Sequence, residues 1–278
     1  MAVVAFCSAT GAPGVSTVAT LTAALWPRPA VVLDADPSGG DVALRLGSRS
    51  GGEDSGMLRL LTAARHGLDA ADVLAETRTL DGGLPVISGL GRPEQAEAAR
   101  TSWTVLAGAV RAAGTATDLM VDTGRLGSPS SAPTAPLLAV ADLVVVVLTP
   151  ELAALAHTRT RAVALADVLT RSGGTVPVVA PLVVGGTRRD AGTAVAVLQD
   201  TARRSGLGVL DLSPLPHDPA GAAVFAGTPG PRPERTALVR AGRGLVRALA
   251  EHLDHLAHLA HLATAPPTAV PSLTGDRP

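Results

Sequence analysis

Val3-Val4-Ala5-Phe6-Cys7 leads into Ser8-Ala9-Thr10-Gly11-Ala12-Pro13-Gly14-Val15-Ser16-Thr17, and Val31-Val32-Leu33 then delivers Asp34-Ala35-Asp36. An apolar run, a glycine turn, a helical stretch and a second apolar run ending in acids make the frame of a phosphate-binding loop. In such a loop the glycines let backbone N–H groups turn inward around an anion. A lysine reaches the outer phosphate oxygens, and the next Ser or Thr holds Mg²⁺. Ala9 through Ser16 fits that spacing at every required position except the lysine, whose slot is Val15. A glycine loop alone has many chance matches. Its place between a strand and an amphipathic helix, with Asp34 and Asp36 ending the next strand, makes it far more specific.

Outward from this stretch, apolar β-branched runs mark strands at 2–7, 30–34, 84–88, 118–122, 142–148, 176–184 and 208–212. Helices are expected between them, near 16–26, 56–65, 69–76, 93–113, 151–171, 190–205 and 234–262. This alternation predicts an α/β fold: a doubly wound, mostly parallel sheet of about seven strands with helices on both faces. Right-handed crossovers then put the ligand crevice at the carboxyl ends of the strands, where all the motifs fall.

Residues 1–250 read as one nucleotide-binding domain, 251–263 as a His/Leu-rich helix extension and 264–278 as a disordered Pro/Thr/Ser-rich tail. Segments 47–56 and 124–136 read as surface loops, and the second, directly after an aspartate, is placed to move with nucleotide state. His252, His255, His258 and His261 recur every three residues. They drift around a helix of 3.6 residues per turn, so all four do not easily share one ion, and a biased helix extension is the expected reading.

The net charge of −1 and a pI near 6.7 give no bulk positive field for nucleic acid or anionic lipid. All 23 basic residues are arginine, so no ammonium side chain stands in for the missing one. One cysteine, Cys7, excludes an intrachain disulfide. With no signal-like or membrane-spanning run, a cytoplasmic protein is expected. Membrane contact through the last helix would be weak, since no arginine follows Arg247 on it.

On these residues the chain resembles the ParA/MinD family of P-loop ATPases, in the class that also holds signal-recognition and nitrogenase-iron-protein relatives. The similarity covers about residues 2–250. The family carries two lysines around its glycines; here those slots are Thr10 and Val15, while Gly11, Gly14, Ser16 and Thr17 match. The resemblance implies that Asp34 supports Mg²⁺ and that Asp36 positions the attacking water. Leu119-Met120-Val121-Asp122-Thr123-Gly124 resembles the motif whose aspartate holds the metal through water and whose glycine senses the γ-phosphate. Ala141-Asp142-Leu143-Val144-Val145-Val146 into Thr149-Pro150-Glu151 resembles the strand and switch-like turn that follow. Leu215-Pro216-His217-Asp218-Pro219 occupies the turn that borders the adenine, which adds Pro216 and Asp218 to the implied nucleotide contacts, although Asp218 between prolines also reads as a turn former. Gly40-Asp41-Val42-Ala43-Leu44 resembles the CpaE/TadZ branch, which positions pilus and secretion machinery. That branch usually carries a receiver-like domain in front, and here the loop stands at the amino terminus.

The implied ligand is ATP or ADP with Mg²⁺, bound by residues 11–17 and Gly124, with Ser16, Asp34 and Asp122 on the metal. Both lysines are absent, and losing one well-placed donor costs about 3–4 kcal/mol of transition-state stabilisation. Val15 is expected to turn apolar surface toward the phosphates. Backbone N–H groups and the helix N-terminus remain, so weakened binding and slow or absent hydrolysis are expected. Arg125 is tied to a phosphate only by its nearness in sequence to Asp122, and an arginine on such a loop is ordinarily solvated. The reading that follows is a homodimeric positioning or adaptor factor for a pilus or secretion motor ATPase or other polar machinery. Its competitor is a slow genuine ATPase of the ParA/MinD type, acting in chromosome partitioning or in septum-site or cell-pole positioning. Strong nucleic-acid binding is not expected from either.

Overall fold

Strict alternation along the first strand sorts its side chains onto two faces. Val3, Ala5 and Cys7 enter one apolar core, and Ala2, Val4 and Phe6 enter another. A sheet buried on both faces needs both. The computed structural model describes residues 1–11, 13–47, 55–171 and 176–264; Ala12, most of the 47–56 loop and the tail beyond Thr264 lie outside the described residues.

Seven strands form one sheet: β1 (Val3–Ser8), β2 (Ala30–Asp34), β3 (Arg78–Thr79), β4 (Pro85–Ile87), β5 (Asp118–Arg125), β6 (Leu143–Leu148) and β7 (Val178–Val183). Their order is β3-β4-β2-β5-β1-β6-β7, parallel throughout except for β3 against β4. One face is covered by α1 (Val15–Leu25) and α11 (Ala237–Thr264), which approach so closely that a Cβ at Gly242 would lie 2.9 Å from the Leu21 methyls. The other face is covered chiefly by α3 (Gly56–Ala63), α4 (Ala70–Ala75), α5 (Pro93–Ala98), α6 (Ser102–Ala113), α7 (Ala135–Ala139) and α8 (Leu152–Arg171). Each fully buried Leu, Phe or Met, such as Leu21, Phe6 and Met57, contributes roughly 1.5–3 kcal/mol.

The amino ends of the strands are pinned by acids that have nothing to do with a ligand. Buried Asp118 accepts from the Ala2 N–H at 2.7 Å, Trp26 Nε1 at 2.7 Å and Arg28 Nε at 2.8 Å. Asp142 accepts from the Val3 N–H at 2.8 Å and Arg111 at 2.6 Å. The carboxyl ends are thereby left as the edge where loops and the remaining buried acids gather.

Three expectations change in detail. Segment 208–212 does not form a strand: Val209 makes only an isolated bridge to Val179, and Leu215 another to Val184. Pro214 and Pro216 carry no N–H and cannot continue a ladder. The helix expected over 93–113 is two helices, broken at Ala99–Thr101, where buried Trp103 donates its indole N–H to Ala96 O at 3.2 Å. The 124–136 loop closes into α7, and two short helices, α2 (Val42–Arg45) and α10 (Pro219–Val224), lie between the longer elements.

The last helix, α11, is continuous across residue 250. Among the described residues no three or more His, Cys, Asp or Glu side chains are placed together to hold an ion. Also among the described residues, no helix is long and apolar enough to cross a membrane.

Candidate functional site: the glycine loop and its acids

The loop forms because β1 must hand over to α1 within a few residues. Gly14 takes the left-handed conformation, φ +93°, at the N-cap of α1, and the Val18 N–H donates to its carbonyl at 2.9 Å. Ahead of it, the Ser8 hydroxyl donates to Thr10 O at 2.8 Å, and the Thr10 N–H donates to Ser8 Oγ at 3.1 Å. No side chain caps α1 and no acid stands in its first turn. Its first N–H groups and the positive end of its dipole are therefore left for an anion.

Val15 does not do what the sequence suggests. Its side chain is only 7 % exposed and joins the apolar cluster that contains Phe6, Val18 and Val145. Burial of a branched hydrocarbon is favourable, and the core beneath α1 offers it. The expectation that Val15 presents apolar surface to the phosphates is corrected: it packs away, leaving the lysine's place without a cation.

Asp122, at the carboxyl end of β5, is fully buried. Its Oδ1 accepts from the Gly124 N–H at 2.9 Å, while Oδ2 has no hydrogen-bond partner among the described residues. Burial pushes its carboxyl up to about 6; the Ser16 hydroxyl and the Gly124 N–H pull the other way, without Ser16 forming a well-aligned bond to Oδ2. Ser16 and Asp122 thus face each other, as a hydrated Mg²⁺ requires.

The other two acids have parted company. Asp36 accepts from the Ser38 N–H at 2.8 Å and lies across Gly124, and burial raises its carboxyl above the usual range. Asp34 stands in register with Asp122 across β2 and β5, close enough to feel its charge. Its Oδ2 accepts from the Val42 N–H at 3.0 Å, and it is wedged between Gly40 and Gly89, where an added Cβ would meet its carboxyl group at 2.5–2.6 Å. Its Oδ1 has no partner among the described residues. Burial, then the charge of Asp122, raises its carboxyl well above the ordinary range. Two buried, unpartnered carboxylate oxygens with a hydroxyl beside them fit a divalent cation. Gly89 stands in no motif that marks this closeness, whereas Gly40 opens the Gly40–Leu44 segment.

Two arginines reach the loop. A Cβ at Gly11 would lie 3.8 Å from Arg125 Nη1. Arg161, on α8, donates Nε–H to Gly127 O at 2.8 Å and Nη1–H to Ala9 O. Arg161 straps the start of the glycine loop to the segment after β5. No local signal on α8 marks it, because its partners are backbone atoms more than thirty residues away.

On the far side, Gly185 N–H donates to Leu215 O at 2.9 Å and a Cβ at Gly186 would strike Pro150 Cγ at 2.3 Å. The turns after β6 and β7 and the Pro216 turn therefore meet at the same edge. Asp218 caps two helices, accepting from Gly221 N–H at 3.0 Å and Leu238 N–H at 2.9 Å; those bonds hold its carboxyl below the usual range. Pro13 and Gly14 lead directly into α1, and Ser16 and Thr17 lie in its first turn; Ala12 lies outside the described residues.

No protein-family profile matches the chain. No curated protein matches it in sequence either. Solved structures do. The ParA family ATPase from Chlorobium tepidum is 16 % identical at a TM-score of 0.63, over 89 % of this chain and 97 % of that one. The Pyrococcus furiosus cell division ATPase MinD is 15 % identical at 0.66, over 90 % and 99 %. A cobyrinic acid a,c-diamide synthase from Mycobacterium smegmatis, with bound ADP and magnesium, is 20 % identical at 0.62, over 98 % and 100 %. These likenesses show the fold: the α/β P-loop architecture of ParA/MinD-type ATPases.

Proposed function

We propose that this chain is a ParA/MinD-like protein that binds Mg-nucleotide at the carboxyl edge of its sheet and acts through occupancy and partner contact more than through turnover. One observation carries the reading: Val15, in the lysine slot, is buried in the core, while Gly14 keeps a left-handed turn ahead of an uncapped α1. Free N–H groups at α1, Ser16 facing Asp122, and Asp36 over Gly124 favour binding. The missing ammonium removes charge that counts most in the transition state. When bound, Mg²⁺ would supply charge neutralisation, held by Ser16 and Asp122 with Asp34 behind them.

The finer reading is a cytoplasmic, homodimeric positioning or adaptor factor for a pilus or secretion motor ATPase, close to the CpaE/TadZ branch. It is supported by Gly40-Asp41-Val42-Ala43-Leu44, the segment that closes over Asp34. Residues 1–250 would be the nucleotide-binding domain, with 251–263 extending its last helix. With Thr10 in place of the lysine that acts across the family's dimer, dimerisation would depend less on ATP than in the family. A slow genuine ATPase is the second reading, favoured by Asp36 lying over Gly124.

Phosphate release and sizing, with and without Mg-ATP, separate these. The adaptor reading expects nucleotide binding, a dimer nearly indifferent to ATP, and no more phosphate from the wild type than from Asp36→Ala. Turnover present in the wild type and lost in Asp36→Ala would establish the second reading instead.

A further inference from the structure

We propose that Arg125 is the cation that binds the nucleotide's phosphates in this loop, supplying from β5 the charge that neither Thr10 nor Val15 supplies. The inference rests on the nucleotide-binding reading above and names the residue on which that binding depends.

The placement starts in the sheet. The β1–β5 ladder runs in step from Val3↔Leu119 to Phe6↔Asp122, then slips by one residue, so that Ser8 stands opposite Arg125. A regular ladder would put Gly124 there. Such irregularities re-aim a side chain, and here the one re-aimed is an arginine. The Leu126 N–H donates to Ser8 O at 2.7 Å and locks the shifted register. The result is a guanidinium whose Nη1 stands 3.8 Å from the Cβ position of Gly11, in the turn that would wrap the phosphates.

Arg125 is also uncommitted. Among the described residues it is exposed, with no ion pair and no side-chain hydrogen bond. The other arginine at the loop is engaged, since Arg161 donates to Gly127 O and Ala9 O. A guanidinium offers five N–H donors in a planar fork that matches two phosphate oxygens. The uncapped start of α1 and the unpartnered, buried Asp122 Oδ2 stand at the same edge. With an uncapped helix start, a metal-side acid and an uncommitted guanidinium, the described part of the cradle has what a nucleoside phosphate needs.

Calorimetric titration of the full chain with Mg-ATP tests this, comparing wild type, Arg125→Ala, Arg125→Lys and the exposed control Arg65→Ala. The expected result is a loss of about fivefold or more in affinity for Arg125→Ala, partial recovery in Arg125→Lys and none lost in Arg65→Ala. Melting without nucleotide should be the same in all four, because Arg125 holds no contact the fold uses. If Arg125→Ala does not fold, Arg125→Gln takes its place under the same threshold. A wild type that binds Mg-ATP while Arg125→Ala binds within fivefold of it overturns this inference and leaves the proposed function standing. A loss of equal size in Arg65→Ala overturns it too, as a bulk charge effect. A wild type that binds no Mg-ATP overturns both.

Discussion

The Asp36 carboxylate lies across Gly124, so close that a Cβ on that glycine would sit 2.2 Å from the carboxylate carbon and from one of its oxygens. Gly124 holds φ +60°, a conformation that L side chains rarely adopt. Strand tips from β2 and β5 are thus fitted against each other at the one place where the first has its second acid and the second its glycine.

Gly124→Ala is therefore expected to cost about 1–3 kcal/mol, from left-handed strain and a steric clash that only displacement of Asp36 relieves. Urea denaturation reads the stability. Stability unchanged within 0.5 kcal/mol, about the scatter of ordinary surface substitutions, would show that the two groups are not in contact.

Val15→Lys places a lysine at the position the phosphate-loop frame reserves for one, at the expense of a buried apolar side chain. Without nucleotide the variant should lose about 1–3 kcal/mol, the value of burying a valine. With Mg-ATP its affinity should rise above that of the wild type, since the amine can leave the core for the phosphates. Calorimetry and denaturation of the same preparation test both halves; unchanged stability would contradict the buried placement of Val15.

Arg161→Ala removes the strap between Ala9 and Gly127. Those two carbonyls return to water, and the segments carrying them should open locally with little change in global stability. Hydrogen exchange is expected to speed up around residues 9–11 and 126–128 and nowhere in β6. Uniform exchange across the chain would count against the strap.

Asp122 sets a pH dependence whose sign follows from its raised carboxyl. Its folded pKa, about 6, lies above the unfolded value near 3.8, so the fold favours the protonated form. The ionised form is penalised above pH 6, and the penalty disappears as pH falls below the unfolded value. In EDTA, this group should make the protein more stable at pH 5 than at pH 7, with the gain complete once the pH falls below about 4. Asp34, also raised by burial and by Asp122, adds in the same direction. Denaturation from pH 4 to 8 should show this slope, and Asp122→Asn should flatten it. Stability that rises with pH in both proteins would reverse the assignment.

Much of this was readable in the chain because it rests on local rules. Alternating and continuous apolar runs pointed to strands at 2–7, 30–34, 118–122 and 142–148, which form at 3–8, 30–34, 118–125 and 143–148, and the glycine loop announced its own turn. The segment 208–212 misled because its apolar residues satisfy a strand's composition, while Pro214 and Pro216 withhold the N–H groups a ladder needs. Asp34 and Asp36 read alike, two residues apart at a strand end. Their different surroundings come from Gly40, Gly89 and Gly124, which arrive from three separate segments.

By itself, the amino-acid order determined the α/β architecture, the edge at which the candidate site lies, and the absence of lysine, since periodicity and residue identity are properties of the chain. The tertiary structure alone decided where charge and burial fall. Whether Val15 faces a phosphate or the core, whether Arg125 reaches the loop, and whether Arg161 touches it at all depend on strand register and helix packing between residues far apart in sequence.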